Sequence, residues 1–129
     1  MNFSESRAAE KKPSILIIDD DPAIRDILAR VLARHGLVRC AASVEEGLEV
    51  FRRTTPGVVF TDYELPGLNG IEGIRRMKAA CPEVRIIMLT GSATRELIEQ
   101  ARSEGARECL EKPFDLRQIM DLAGRYLAA

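Results

Sequence analysis

A chain of 129 residues, 46% hydrophobic and 30% charged, has the size and balance of one soluble globular domain. Its net charge of -1 gives no reason to expect nucleic acid or an anionic membrane surface as a direct partner. No apolar run approaches the ~20 residues of a membrane helix, and the opening MNFSESRAAEKKPS lacks a signal peptide's apolar core. Residues 1–13 therefore read as a flexible tail, residues 14–129 as the folded domain, and the cytoplasm as its compartment. Cys40, Cys81 and Cys109 are odd in number and lack CxxC spacing, so they read as reduced thiols, buried or half-buried, rather than a disulfide frame or a zinc site.

From Ser14 onward, short apolar runs alternate with helical patterns. Ile15 to Ile18 form a strand that runs straight into Asp19, Asp20 and Asp21. Asp21 suits a helix cap and Pro22 the first turn. Ile24, Ile27, Leu28, Val31 and Leu32 then recur at helical spacing. Arg34 and His35 suit the last turn, and Gly36 a left-handed stop. VRCAA (Val38 to Ala42) is the second strand. Ser43 and Glu46 have capping-box spacing ahead of a helix that turns Val44, Leu48 and Phe51 inward and ends at TTPG. VVFTD (Val58 to Asp62) is the third strand, followed by the turn-rich loop YELPGLNG. A helix over Ile71 to Ala80 buries Ile74 and Met77 and stops before Pro82. RIIMLTG (Arg85 to Gly91) is the fourth strand, and a helix with Leu97, Ile98 and Ala101 on one face ends near Gly105. ECLEKPF (Glu108 to Phe114) holds the fifth strand, and Asp115 and Gln118 suit the cap of a last helix burying Leu116, Ile119, Met120, Ala123 and Leu127.

Strands separated by helix-length segments predict an α/β fold: a parallel sheet, doubly wound, with helices on both faces and right-handed crossovers. Ligands bind such sheets at the carboxyl ends of the strands. Those ends carry Asp19 and Asp20, Asp62, Thr90 with Gly91, and Lys112. Two unit charges about 4 Å apart interact by about 4 kcal/mol at an effective dielectric near 20, so three ionised carboxylates cannot crowd together without a cation. Hard oxygen ligands with no His or Cys among them favour Mg²⁺ over zinc, and Mg²⁺ leaves room for a phosphate oxygen. Lys112 and the Thr90 hydroxyl complete an electropositive rim for that phosphate, and one carboxylate can serve as a nucleophile forming an acyl phosphate.

IIDDDP, VVFTDYELPGLNG, IIMLTG and ECLEKPF, in this order and spacing, resemble the receiver domain of two-component response regulators over nearly the whole chain, from about Ser14 to Leu127. The resemblance implies a flavodoxin-like, five-stranded sheet of order 2-1-3-4-5. It implies Asp62 as phosphoacceptor, Thr90 as switch hydroxyl and Lys112 as the phosphate-pairing lysine. Asp19 (through water), Asp20, Asp62 and the main-chain carbonyl of Glu64 would hold Mg²⁺ or Mn²⁺. It implies a cis bond between Lys112 and Pro113, and places Glu64 and Ser92 at variable positions that tune phosphate lifetime. The implied partners are a sensor histidine kinase or phosphotransfer protein and a downstream effector. The effector would bind on the face made by the fourth helix, fifth strand and fifth helix of a monomer or weak dimer. The protein would be no enzyme beyond assisting its own phosphorylation and dephosphorylation, and either a stand-alone receiver or part of a larger regulator. Cys109 departs from the family, which often has Tyr or Phe there to swing inward with the switch hydroxyl.

Two other readings compete. VVFTDYE also resembles the start of haloacid-dehalogenase-type Mg²⁺-dependent phosphatases, but those place a second Asp where Glu64 stands and their acidic pair after the lysine. A non-phosphorylated interaction domain would not need all five site residues. His35 reads as support for a helix end, and Arg75 with Arg76 as a solvated helix face rather than a nucleic-acid patch.

Overall fold

The computed structural model describes residues 13–127; the tail expected over residues 1–13 lies, apart from Pro13, outside the described residues, as do residues 128–129 of the expected domain. The elements are β1 (Ser14–Ile18), α1 (Pro22–Leu32), β2 (Leu37–Ala41), α2 (Val44–Thr54), β3 (Val58–Asp62), α3 (Gly70–Ala80), β4 (Arg85–Thr90), α4 (Arg95–Glu104), β5 (Glu108–Glu111) and α5 (Leu116–Leu127). All strand pairs are parallel, in the order β2-β1-β3-β4-β5. The chain thus forms the doubly wound, flavodoxin-like sheet.

Alternation along β1 divides the core in two. Leu16 and Ile18 face one layer with Val44, Phe51, Ile74, Met77 and Ala101, from α2, α3 and α4. Ile15 and Ile17 face the other with Leu28, Leu32, Ile119 and Leu122, from α1 and α5. Successive strand side chains point to opposite faces, so a strand covered on both must be apolar throughout. Every residue of β3 is buried, including Thr61 and Asp62. Each fully buried Val, Ile, Leu or Phe is worth about 1.5–3 kcal/mol of transfer free energy. That burial anchors β1 and β3, the strands that deliver the polar residues.

Side-chain caps set the helix starts. Asp21 accepts from the Ala23 N–H at 2.9 Å, Asn69 from Glu72 at 3.0 Å, Thr94 from Leu97 at 3.1 Å and Asp115 from Arg117 at 2.8 Å. Ser43 accepts from Glu46 at 3.1 Å, and the Glu46 carboxylate reaches back to the Ala42 N–H at 3.3 Å, a capping box displaced by one residue.

Two expectations for α1 are corrected. Ile27 is 41% exposed rather than part of the inward face. At about 100° per residue it stands ~100° round the helix from Leu28, whereas Ile24 and Leu32 stand within ~40°. Gly36 is not a left-handed stop: among the described residues only Thr55, Gly67 and Gly105 have positive φ. Ala33 keeps right-handed helical geometry, and Gly36 answers a steric demand instead. A Cβ there would lie 2.4 Å from the Pro13 carbonyl oxygen, which accepts from the Leu37 N–H at 2.7 Å.

Gly70 opens α3 directly against the site strand. A Cβ at this position would sit 2.3 Å from the Asp62 carbonyl oxygen and 2.9 Å from Tyr63 Cα, both backbone atoms that cannot step aside. Gly70→Ala is expected to cost about 1–3 kcal/mol by overpacking. Gly124→Ala on α5, where the new methyl would meet only His35 at 3.6 Å, should be neutral or stabilising by up to ~1 kcal/mol. Urea melts of the two variants check the contrast, and equal stabilities would refute the steric account.

Candidate functional site

Asp19 follows β1 directly, where its N–H still donates to the Ala41 carbonyl at 3.1 Å, as if the strand ran one residue further. It is 1% exposed. One carboxylate oxygen accepts from the Asp21 N–H at 2.9 Å and the other from Lys112 Nζ at 3.1 Å, while its carbonyl accepts from Arg25 Nη1 at 2.8 Å. Asp20, next along, is exposed. Asp62 closes β3 opposite Leu89 of β4 and is 3% exposed. Lys112 Nζ lies 3.2 Å from Asp62 Oδ2, so this single ammonium bridges Asp19 and Asp62. Ligand oxygens of Asp19, Asp20 and Asp62 all lie within 4.8 Å of one another.

The charges do not balance. Three carboxylates face one ammonium, and Asp62 Oδ1 is buried with no hydrogen-bond partner among the described residues. Burial, reinforced by the Asp19 charge and only partly offset by Lys112, pushes the Asp62 carboxyl up to about 6. Burial alone would lower the Lys112 ammonium; the hydrogen bond and charge of Asp19, with the Asp62 charge, outweigh it and raise its pKa. A buried carboxylate oxygen without a partner beside two further carboxylates fits a hard divalent cation. The all-oxygen donor set suits Mg²⁺ or Mn²⁺ better than zinc.

Thr90 ends β4 and is wholly buried. Its hydroxyl donates not to the aspartates but to Glu64 Oε1, at 2.6 Å, and it accepts from the Ser92 N–H at 3.2 Å. The Gly91 N–H points to the same carboxylate, 3.1 and 3.3 Å from its two oxygens. Burial opposes ionisation of Glu64, but the bonds from Thr90 and Gly91 prevail and hold its pKa below the usual range. The sequence reading assigned Glu64 a carbonyl and a tuning position; its carboxylate bridge to β4 went unforeseen. The only available signal was an acidic side chain two residues past Asp62, and loop conformation decides where that points.

The structure therefore gathers Asp19, Asp20, Asp62 and Lys112, and couples Thr90 to them through the neighbouring strand end and the Glu64 bridge. The Lys112–Pro113 bond is cis. Cys109 is half-buried, and burial raises its thiol, so packing describes it better than reactivity. His35 lies beyond the end of α1, ahead of β2, at the opposite end of the sheet from these residues. Arg75 pairs with Glu72 and Glu104 on the surface. A cavity of about 240 Å³ lined by Thr55, Gly57, Cys81 and Arg85 lies at the amino ends of β3 and β4, away from the carboxylates.

A five-stranded parallel sheet with an acidic pocket and a bridging lysine at its carboxyl edge defines a regulatory phosphoryl-switch fold, and the comparisons agree. Residues 15–123 match the response regulator receiver domain family, and the chain belongs to it. It is 33% identical over 114 residues to sporulation initiation phosphotransferase F of Bacillus subtilis, covering 88% of this chain and 92% of that protein. A CheY-like response regulator receiver domain protein from Methanospirillum hungatei superposes with a TM-score of 0.87 at 28% identity, over 92% of this chain and 95% of that one. A response regulator from Burkholderia pseudomallei, solved with a phosphorylated aspartic acid and a calcium ion, gives a TM-score of 0.78 at 30% identity, over 89% and 66%. Of several transcriptional regulators the chain spans only 24–26% of the length. The protein is a phosphorylatable signalling switch of the two-component class, a family that binds Mg²⁺ at an acidic pocket and works with histidine kinases or phosphotransferases and effectors. Among the described residues no helix is long and apolar enough to cross a membrane.

The raised Asp62 carboxyl has a consequence for stability without cation. Below about pH 4 it is protonated in both folded and unfolded chains, and no penalty arises. As pH rises from about 4 to about 6 the unfolded chain is ionised while the folded one still holds its proton, so folding loses stability, with the full loss present above the folded value. In chelator, Asp62→Asn should exceed the parent by roughly 1–3 kcal/mol at pH 7, the gap fading towards pH 4. Chemical denaturation across this range measures it. A parent at least as stable as the variant at pH 7 would show that the crowded carboxylates carry no cost.

Proposed function

We propose that Asp62 accepts a phosphoryl group from a sensor histidine kinase or phosphotransfer protein, with Mg²⁺ or Mn²⁺ held by the Asp19, Asp20 and Asp62 carboxylates and the Glu64 main-chain carbonyl. The observation that carries the reading is the buried, partnerless oxygen of Asp62 beside two acidic side chains and the Lys112 ammonium. When bound, the cation supplies the positive charge that the carboxylates and an incoming phosphoryl oxygen require. An Asp62 oxygen attacks phosphorus; the new O–P bond forms as the N–P bond of the phosphohistidine breaks, and the electron pair leaves on the imidazole nitrogen. Lys112 Nζ, already 3.2 Å from Asp62, pairs with the transferred group, and the Thr90 hydroxyl is drawn towards it.

Phosphorylation turns a singly charged carboxylate into an acyl phosphate of nearly two negative charges, a net gain of about one at the sheet edge, and biases a pre-existing equilibrium of the surface. The face formed by α4, β5 and α5 would meet the downstream effector, with no direct contact to nucleic acid or membrane, in a monomer or weak dimer. The domain assists only its own phosphorylation and dephosphorylation. The phosphorylated aspartic acid in the Burkholderia relative supports the acceptor role. Three half-buried, unbridged thiols suit a reducing compartment and support a cytoplasmic location. The site order, with the acidic pair first and the lysine last, favours this reading over a phosphatase.

With Mg²⁺ and a small phosphodonor such as acetyl phosphate, the parent should gain one phosphoryl group by intact mass. Asp62→Asn should gain none, chelation should abolish the gain, and Lys112→Ala should slow it by about tenfold or more. Equal labelling of Asp62→Asn and parent would remove Asp62 as acceptor.

A further inference from the structure

The loop between β4 and α4 has its backbone N–H donors occupied from within. The Thr90 hydroxyl and the Gly91 N–H both donate to the Glu64 carboxylate. The Ser92 N–H donates to Thr90 Oγ1, and the Ala93 N–H to Glu111 Oε2 at 3.2 Å. A hydroxyl and an adjacent backbone N–H converging on one anion is the arrangement a phosphoryl group would use, and here a carboxylate of the chain itself fills it. At 2.6 Å the Thr90–Glu64 contact has the length of a strong charge-assisted bond. The side chain spans two loops, from just past β3 to the end of β4. Its only covalent tether to the site is the two-residue step from Asp62.

Building on the phosphoacceptor reading, we propose that Glu64 is an internal competitor of the phosphoryl group: its carboxylate holds the Thr90 hydroxyl and the Gly91 N–H in the unphosphorylated protein and must be displaced before they can serve Asp62. Two effects drive the displacement. A phosphoryl group on Asp62 repels the Glu64 carboxylate two residues away, and it competes for the same donors with greater charge. Glu64 is thus a positioning residue acting through Thr90. It raises the threshold for phosphorylation and links that event to the loop that leads into α4. Release of Gly91 and Thr90 from Glu64 leaves Glu111, on the Ala93 N–H, as the remaining carboxylate hold, and the Ser92 N–H bond to Thr90 Oγ1 lets the loop follow the hydroxyl. This gives Thr90 a mechanical connection to α4 that does not require an aromatic side chain at Cys109.

Beryllofluoride, a phosphoryl mimic, tests the proposal. It is titrated at saturating Mg²⁺ into the full chain as parent, Glu64→Ala, Glu64→Gln, Thr90→Val and the Glu64→Ala/Thr90→Val double variant, read by calorimetry and by the Gly91 amide resonance. Glu64→Ala should bind about tenfold more tightly than parent, the loss of a charge-assisted competitor. Glu64→Gln, which keeps an acceptor but not the charge, should fall between. In the Thr90→Val background the gain should shrink to about threefold or less, the coupling expected of residues in one network. The Gly91 amide should shift in Glu64→Ala before any beryllofluoride is added. Unchanged affinity in Glu64→Ala would overturn the competitor role. A gain of equal size with and without the Thr90 hydroxyl would also overturn it, since it would reduce Glu64 to a diffuse repulsive charge. A parent that fails to bind beryllofluoride would sink the acceptor reading itself, an outcome distinct from both.

Discussion

The organising constraint is the crowding of like charge around Asp62. Asp19 and Asp62 are almost entirely buried, share one ammonium, and have the Asp20 carboxylate beside them. A fold with no use for a cation would gain by replacing one of these carboxylates with an apolar or amide side chain, because a buried charge without a full set of partners costs several kcal/mol. The chain instead commits two thoroughly buried strands, β1 and β3, to holding them together. Ile15 to Ile18 and Val58 to Thr61 have essentially no exposure, and each run leads directly into a site aspartate. Packing on two faces provides the stability against which electrostatic strain can be maintained.

Parallel topology converts that strain into a site. In the order β2-β1-β3-β4-β5, β1 and β3 are hydrogen-bonded neighbours, so Asp19 and Asp62 meet although they are far apart in the chain. β4 brings Thr90 to the other side of Asp62, and β5 pairs with β4 so that the Lys112 N–H donates to the Thr90 carbonyl at 2.8 Å. The lysine then crosses above β4 and β3 to reach Asp62 and Asp19. No single loop builds the pocket; it exists only when all four strand ends are in register. A cation or phosphoryl group therefore reports on, and acts on, the whole carboxyl edge of the sheet.

Much of this was legible in the amino-acid order. Strands covered on both faces must be apolar from end to end, so the polar residue that stops each run stands out, and Asp19, Asp20, Asp62, Thr90 and Lys112 were all found that way. Caps at Asp21, Ser43 and Asp115 were legible because short polar side chains there have few other roles. What escaped depended on geometry beyond local pattern. Ile27 fits helical spacing but lies off the narrow stripe that the sheet covers. Gly36 has the residue type of a left-handed stop, yet it is required by the approach of the Pro13 carbonyl from another segment. The direction of the Glu64 side chain is set by a loop whose course includes the positive φ of Gly67, and no periodicity encodes it.

The least anchored helix is the one best placed to respond. Among α4 residues only Ala101 is fully buried; Leu97 and Ile98 are half-exposed. The exposed Arg75–Glu104 pair ties it to α3, and solvent screens that contact. Cys109 is small and packs against the core layer that holds Met88 and Ala101. Segments with few buried apolar contacts lie at the low end of local stability, so a modest change in hydrogen bonding can reposition them without disturbing the central strands. The loop from Gly91 to Ala93, fastened by one carboxylate on each side, is the junction between the rigid, charged sheet edge and this lightly held helix. On the proposed displacement of Glu64, a change in charge at Asp62 would be felt first at that junction, because the core behind Asp62 is too densely packed to yield.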